Sequence, residues 1–192
     1  MNHRSLGILA GLVLLILPAA QARAGDRIVL PGLVPPIVAH LTPLGKVAAT
    51  NHLRLAISLP LRNQNGLNAL MQQMYDPASP NYRHYLTPPE FTAKFGPTEA
   101  EYQQVVDFAT TNGLQLMHIF ENRQLVDVSG TVADIDKTFQ ITLNNYQHPT
   151  ENRVFFAPNT APSVAPGVPI LSVSGLNNYV LPHPALRKPA GP

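Results

Sequence analysis

Between Tyr75 and Pro97 the chain reads YDPASPNYRHYLTPPEFTAKFGP, with prolines at 77, 80, 88, 89 and 97. Each proline fixes its own φ, gives up a backbone donor and pushes the preceding residue out of helical space, so no long helix crosses this stretch. It is not an empty linker either, because Tyr75, Tyr82, Tyr85, Leu86, Phe91 and Phe95 bring heavy apolar surface. A connector of this kind either caps a core or presents a surface of fixed shape, and both readings stay open on composition alone. Whatever the chain folds into must be built around this block.

On both sides the pattern is helical. Leu67, Leu70, Met71 and Met74 lie at i, i+3, i+4 and i+7, and Tyr102, Val105, Val106 and Ala109 share a second helix face. Thr87-Pro88-Pro89-Glu90 carries a hydroxyl N-cap, proline at N1 and glutamate at N3, and Thr98-Glu99-Ala100-Glu101 repeats the logic, with a stop at Asn112-Gly113. Upstream, residues 26–50 hold four prolines without a period and read as an extended arm. Leu53, Leu55, Ile57 and Leu59 then alternate with smaller or polar residues, a half-buried strand.

Downstream, Leu114–Phe120 and Gln124–Val128 flank Glu121-Asn122-Arg123 as a hairpin, and Thr131 opens a helix with Val132, Ile135 and Phe139 on one face. Ile141–Tyr146 follows as a strand, Val154–Ala157 pairs with it across His148-Pro149-Thr150, and Ile170–Val173 is a last short strand. The order predicts an α+β fold: a ferredoxin-like split β-α-β antiparallel sheet, helices on one face, and an inserted proline/aromatic-rich helical segment. The other face of such a sheet is either wet or a docking surface.

The block Asp76–Phe91, followed by Phe95-Gly96-Pro97, resembles the pro-kumamolisin activation domain, the N-terminal pro-segment of the sedolisin family of serine-carboxyl peptidases. The resemblance continues through Gly113-Leu114, Asn122-Arg123, Gly130-Thr131, Phe139, Tyr146 and Gly175-Leu176-Asn177-Asn178, so it spans about residues 53–179. Phe108-Ala109 departs from the family's frequent Trp-Leu, and the chain ends at Pro192, where the peptidase domain would follow. The resemblance implies a partner, a sedolisin-type catalytic domain held in cis in the family and in trans here. It implies chaperone-like and inhibitory action, with release in acid. It also implies that Tyr75, Asp76, Tyr82, Arg83, His84, Tyr85, Phe91 and Phe95 form a docking connector. By analogy with related zymogens, Tyr179, Val180, Leu181, His183, Leu186 and Arg187 would run toward the active site; a plain tail is the competing reading.

No catalytic site of the chain's own is expected. The family's nucleophile lies in Ser-Gly-Thr-Ser, whereas Ser129-Gly130-Thr131-Val132 places valine at that position. No glutamate is followed by an aspartate four residues later. Glu99 with Glu101, and Asp134 with Asp136, are two apart and do not share a helix face; they read as first-turn acids. There is no cysteine, so thiol catalysis and disulfides are excluded. Phosphate-loop, His-x-x-x-His and calcium-loop patterns are missing from the sequence, so no metal or cofactor is expected.

Met1–Ala24 has a basic start, twelve residues of apolar run from Leu6 to Leu17 and a small-x-small site before Gly25. That run is short of the roughly 20 residues a membrane span needs, so cleavage between Ala24 and Gly25 and export, to the periplasm or beyond, is the expectation. Removing Arg4 and Arg23 from thirteen basic residues leaves eleven, against eleven acids, and a neutral chain argues against nucleic acid as a partner. Six histidines remain, and free imidazoles charge below about pH 6.5; His84 and His118 are the expected pH-sensing pair. The plan is signal peptide 1–24, arm 25–51, activation domain 52–179 and tail 180–192. The alternatives are a free-standing exported binding module or an inactive remnant of a peptidase precursor.

Overall fold

The computed structural model describes residues 27–181. Fourteen short elements follow in order: β1 (Ile28–Val29), a 3-10 turn (Pro36–His40), β2 (Gly45–Lys46), β3 (His52–Ser58), α1 (Gln64–Tyr75), α2 (Pro88–Phe95), α3 (Glu99–Thr111), β4 (Gln115–Ile119), β5 (Leu125–Thr131), α4 (Val132–Phe139), β6 (Leu143–Gln147), β7 (Val154–Pro158), β8 (Ser163–Val164) and β9 (Ser172–Ser174). The result is a mixed fold of helices and antiparallel sheets.

The main sheet has the order β4-β5-β3-β9. β3 and β5 pair over their full length, from His52 opposite Thr131 to Ser58 opposite Leu125. Strand alternation sends Leu55, Ile57, Val126 and Val128 inward, where each is at most 2% exposed. There they meet Val105 and Ala109 of α3 and Val132, Ile135 and Phe139 of α4, so helices cover one face only. Burying a side chain of this size is worth about 1.5–3 kcal/mol, which makes this layer the main source of stability.

One expectation is corrected here. Ile141–Tyr146 and Val154–Ala157 do pair as an antiparallel hairpin, but in a separate three-stranded sheet, β2-β6-β7. That sheet divides two cores. Leu143 and Phe156 face the main core, while Tyr146, Phe155 and Ala157 turn the other way onto Val38. The strand completing the main sheet is instead β9, paired with β3 through Ala56 opposite Ser174. Alternation identifies a strand but carries no information about which sheet receives it.

In the stretch before β3, Leu30 and Val47 pack in the main core and Val38 in the second. Its two-residue strands pair with β8 and β6.

The helix starts follow the sequence. Thr87 and Thr98 each form a full capping box, with Glu90 and Glu101 reaching back to the cap residue. Thr131 caps α4 through the Asp134 amide at 3.2 Å. In Ser129-Gly130-Thr131-Val132 the serine is therefore a strand residue and the threonine a cap. Asp136 does more than favour the helix dipole: its carboxylate accepts the Leu143 amide at 3.1 Å, and burial pushes its pKa up.

The caps make a pH prediction. The Thr98 amide, and then the Thr98 hydroxyl, hold the Glu101 carboxyl below the usual carboxylate range. A carboxyl lowered in the folded state stabilises above its unfolded value and loses that contribution as pH falls through the folded one. Glu101→Ala is expected to cost about 0.5–1 kcal/mol near neutrality. In urea titrations the gap from wild type should narrow below about pH 4; a gap that widens in acid contradicts the assignment.

Candidate docking surfaces

The uncovered face of the main sheet is the first surface. Side chains that alternate with the core set point outward: Arg54, Ala56 and Ser58 on β3, Asp127 and Ser129 on β5, and Ser172 and Ser174 on β9. Ser58 and Ser172 share a hydroxyl hydrogen bond of 2.7 Å. Apart from Arg54 and Asp127 these side chains are small, so a partner can approach the sheet backbone closely. At one margin lies β4, all five of its residues exposed. It bulges between Leu116 and His118, and His118 sits opposite Asp127 and edge-on to Phe120 at 4.6 Å.

The second surface is the connector, for which composition left a core cap and a shaped surface both open. Its aromatics do not join either core: Tyr75 and Tyr85 are 75% and 71% exposed, and among the candidate residues only Phe95 is buried. α1 buries no residue at all, leaving Leu67, Leu70 and Met74 half-covered and Met71 exposed. The connector nevertheless has a defined shape. Asp76 accepts the Ala78 amide at 2.9 Å, Ser79 and Tyr82 amides close successive turns, and the Arg83 amide returns to the Met74 carbonyl. Arg83, at φ 57°, stacks its guanidinium 5.1 Å above the Tyr82 ring. His84 is exposed beside them, and Phe91 packs against Phe95 at 5.5 Å.

Two arginines fasten this unit to the body. Arg62 donates to the Gly96 carbonyl at 2.5 Å and to that of Ala93 at 3.2 Å, closing the end of α2. Arg123 donates to the Pro97 carbonyl at 2.7 Å from the β4–β5 turn. The connector, α2 and the hairpin therefore present one continuous margin. An open groove runs along it between Pro88, Pro89 and Thr92 on one side and His118, Ile119 and Phe120 on the other.

The third surface is the chain's exit. The Asn178 side chain accepts the Phe156 amide at 2.7 Å, and Arg153 donates to the carbonyls of Asn178 and Tyr179. The Tyr179 ring stacks on His148 at 4.9 Å and leans on Phe155 at 5.1 Å. Val180 is then 78% exposed and Leu181 less so, while His183, Leu186, Arg187, Ala24 and Gly25 lie outside the described residues. The candidate residues thus fall on two surfaces: the margin that joins the connector to the hairpin with His118, and the exit. Arg153 and Asn178 were not among the expected site residues. The Asn177-Asn178 pair was the available signal, but nothing in the sequence ties it to an arginine 25 residues upstream.

Among the described residues no group of three or more side chains is arranged to hold a metal ion. No described helix is long and apolar enough to cross a membrane.

The family profile described as "Pro-kumamolisin, activation domain" matches residues 39–179. Over 148 residues the chain is 32% identical to Sedolisin of Pseudomonas sp. (strain 101), a match covering 76% of this chain and 25% of that protein. It is 30% identical over 138 residues to Xanthomonalisin of Xanthomonas sp. (strain T-22), covering 70% of this chain and 16% of the relative. The matched region is thus a quarter or less of either relative's length. With the profile running from before β2 to the Tyr179 anchor, the chain belongs to the pro-kumamolisin activation-domain family of sedolisin-type peptidase precursors.

Proposed function

We propose that this is an exported pro-domain that docks on a sedolisin-type catalytic domain, assists its folding and blocks it until acid releases the pair. The carrying observation is the open face of the main sheet, flanked by a shaped, aromatic and uncovered connector. An apolar surface that stays uncovered in an isolated domain marks a contact made with something else. The order β4-β5-β3-β9 supports a ferredoxin-like split β-α-β reading, with α3 and α4 as the two helices on the covered face, α1 and α2 as the insertion and β9 as the fourth strand.

In this reading the small outer side chains seat helices of the peptidase, Tyr75 and Tyr85 anchor the margin, and Tyr179–Arg187 extends toward the cleft. His84 and His118 are both exposed on that margin, where a charge gained in acid would meet the partner. Residues 1–24 direct export and leave residues 25–192 as the working chain. The chain itself carries out no chemistry: its role is binding.

Ala56→Arg tests the orientation, because Ala56 lies on central β3 between Asp127 and Ser174 on the open face. Calorimetric binding to a sedolisin-type catalytic domain near neutral pH should weaken at least about tenfold, or roughly 1.4 kcal/mol, with thermal unfolding little changed. Undiminished binding would show that the partner sits elsewhere.

A further inference from the structure

His148 is the one histidine buried among the described residues, at 6% exposure, and it lies in the β6–β7 turn against the chain's exit. Its Nδ1 accepts the Glu151 amide at 3.0 Å, with the Thr150 amide at 3.4 Å as a second donor. Its Nε2 faces the Glu151 carboxylate at 3.4 Å. Nδ1 is therefore an unprotonated acceptor and Nε2 carries the hydrogen. One ring face stacks on Tyr179 at an interplanar angle of 24°.

We propose that His148 is an acid-opened latch: it holds Tyr179 against the domain while neutral and lets the following segment go when Nδ1 is protonated. Protonation turns the acceptor into a donor facing two amide donors, and the one acceptor left to it is the Thr150 hydroxyl at a long 3.5 Å, a poor exchange for the two amide bonds. The ring has to turn away, and the flat stack with Tyr179 goes with it.

The groups that bear on this titration are few. Glu151 and Arg153 lie in the same turn, and their side chains pair at 2.5 Å. From the packed elements come the phenols of Tyr179 and, beyond Phe155, Tyr146. The attraction of Glu151 for a charged ring opposes release. But that carboxylate is already engaged by Arg153, and it faces Nε2 rather than Nδ1, so added charge does not repair the lost Nδ1 bonds. The latch belongs to the chain itself and stands whether or not a peptidase is bound.

Nuclear magnetic resonance of the labelled chain tests it, following the His148 ring nitrogens and the Tyr179 ring signals from about pH 7.5 to 5. The expected result is that Tyr179 loses its ring-shifted signals with the same midpoint as His148 protonation, while the Val126 and Val128 amides stay protected. In His148→Asn, whose side-chain oxygen accepts an amide but takes up no proton, Tyr179 should hold its position through that range. A Tyr179 that stays stacked beside a protonated His148 overturns the latch. So does one that leaves while His148 is neutral, or with an unchanged midpoint in H148N. If H148N fails to fold, the coincidence of the two wild-type midpoints decides the matter.

Discussion

Replacing Phe139 by alanine is expected to lower the free energy of unfolding by about 3–5 kcal/mol. Phe139 ends α4 with 0% exposure and packs edge-on to Phe108 of α3 at a centroid distance of 6.3 Å. It belongs to the cluster that also contains Ile57 and Val126 of the main sheet and Leu143 of the second. Truncation removes transfer energy and leaves a cavity between two helices and two sheets, none of which can close it alone. A domain of this size has only about 5–15 kcal/mol in total, so the variant should populate unfolded chain in modest urea. A loss below about 1.5 kcal/mol in equilibrium denaturation would mean that the site collapses onto the gap, contrary to the packing described.

Gly175→Ala is the second large effect. Gly175 follows β9 with φ +97°, and a Cβ there would stand 2.4 Å from the Arg54 carbonyl oxygen. That oxygen belongs to the backbone of β3, which the β5 pairing holds in place. The substitution therefore combines backbone strain of about 1–3 kcal/mol with a steric clash relieved only by moving the chain. The expected outcome is a loss of more than about 3 kcal/mol, with amide exchange rising first at Ser172–Ser174 as β9 leaves the sheet edge. Gly167→Ala is the matched control, since Gly167 has a similar φ of +85° with nothing within 4 Å of a Cβ. Equal losses in the two variants would show that the close approach of β9 to β3 is unimportant.

The parts of this fold legible in the sequence are those that local chemistry decides. Thr87, Thr98 and Thr131 announce three helix starts because a hydroxyl and a nearby acid satisfy orphan amides wherever such a helix forms. The β4–β5 hairpin was legible from two apolar runs around Glu121-Asn122-Arg123, a turn closed by the Arg123 amide on the Phe120 carbonyl at 2.9 Å.

What could not be read is long-range. β6 and β7 alternate like any strands, and their placement in a second sheet depends on Val38, more than a hundred residues upstream. Strands of two residues, such as β1, β2 and β8, have no period to detect. The connector's tyrosines illustrate a further limit. Apolar content predicts that surface will be buried, but not whether the chain's own core or another molecule buries it. Nor does a histidine spacing report burial: His84 and His118 stood out by position, yet His148 is the one packed between aromatic rings.

The central claim is that the domain is a partner and blocker of a sedolisin-type peptidase, and the most direct measurement is inhibition. Residues 25–192, purified and added to a processed sedolisin-type enzyme, should inhibit tightly near neutral pH. The inhibition should fade as the mixture is titrated from about pH 7 to pH 3, through the imidazole and then the carboxylate range. An enzyme that keeps full activity at every pH, with no binding detected to several such peptidases, would contradict the account and leave the open sheet face to another partner.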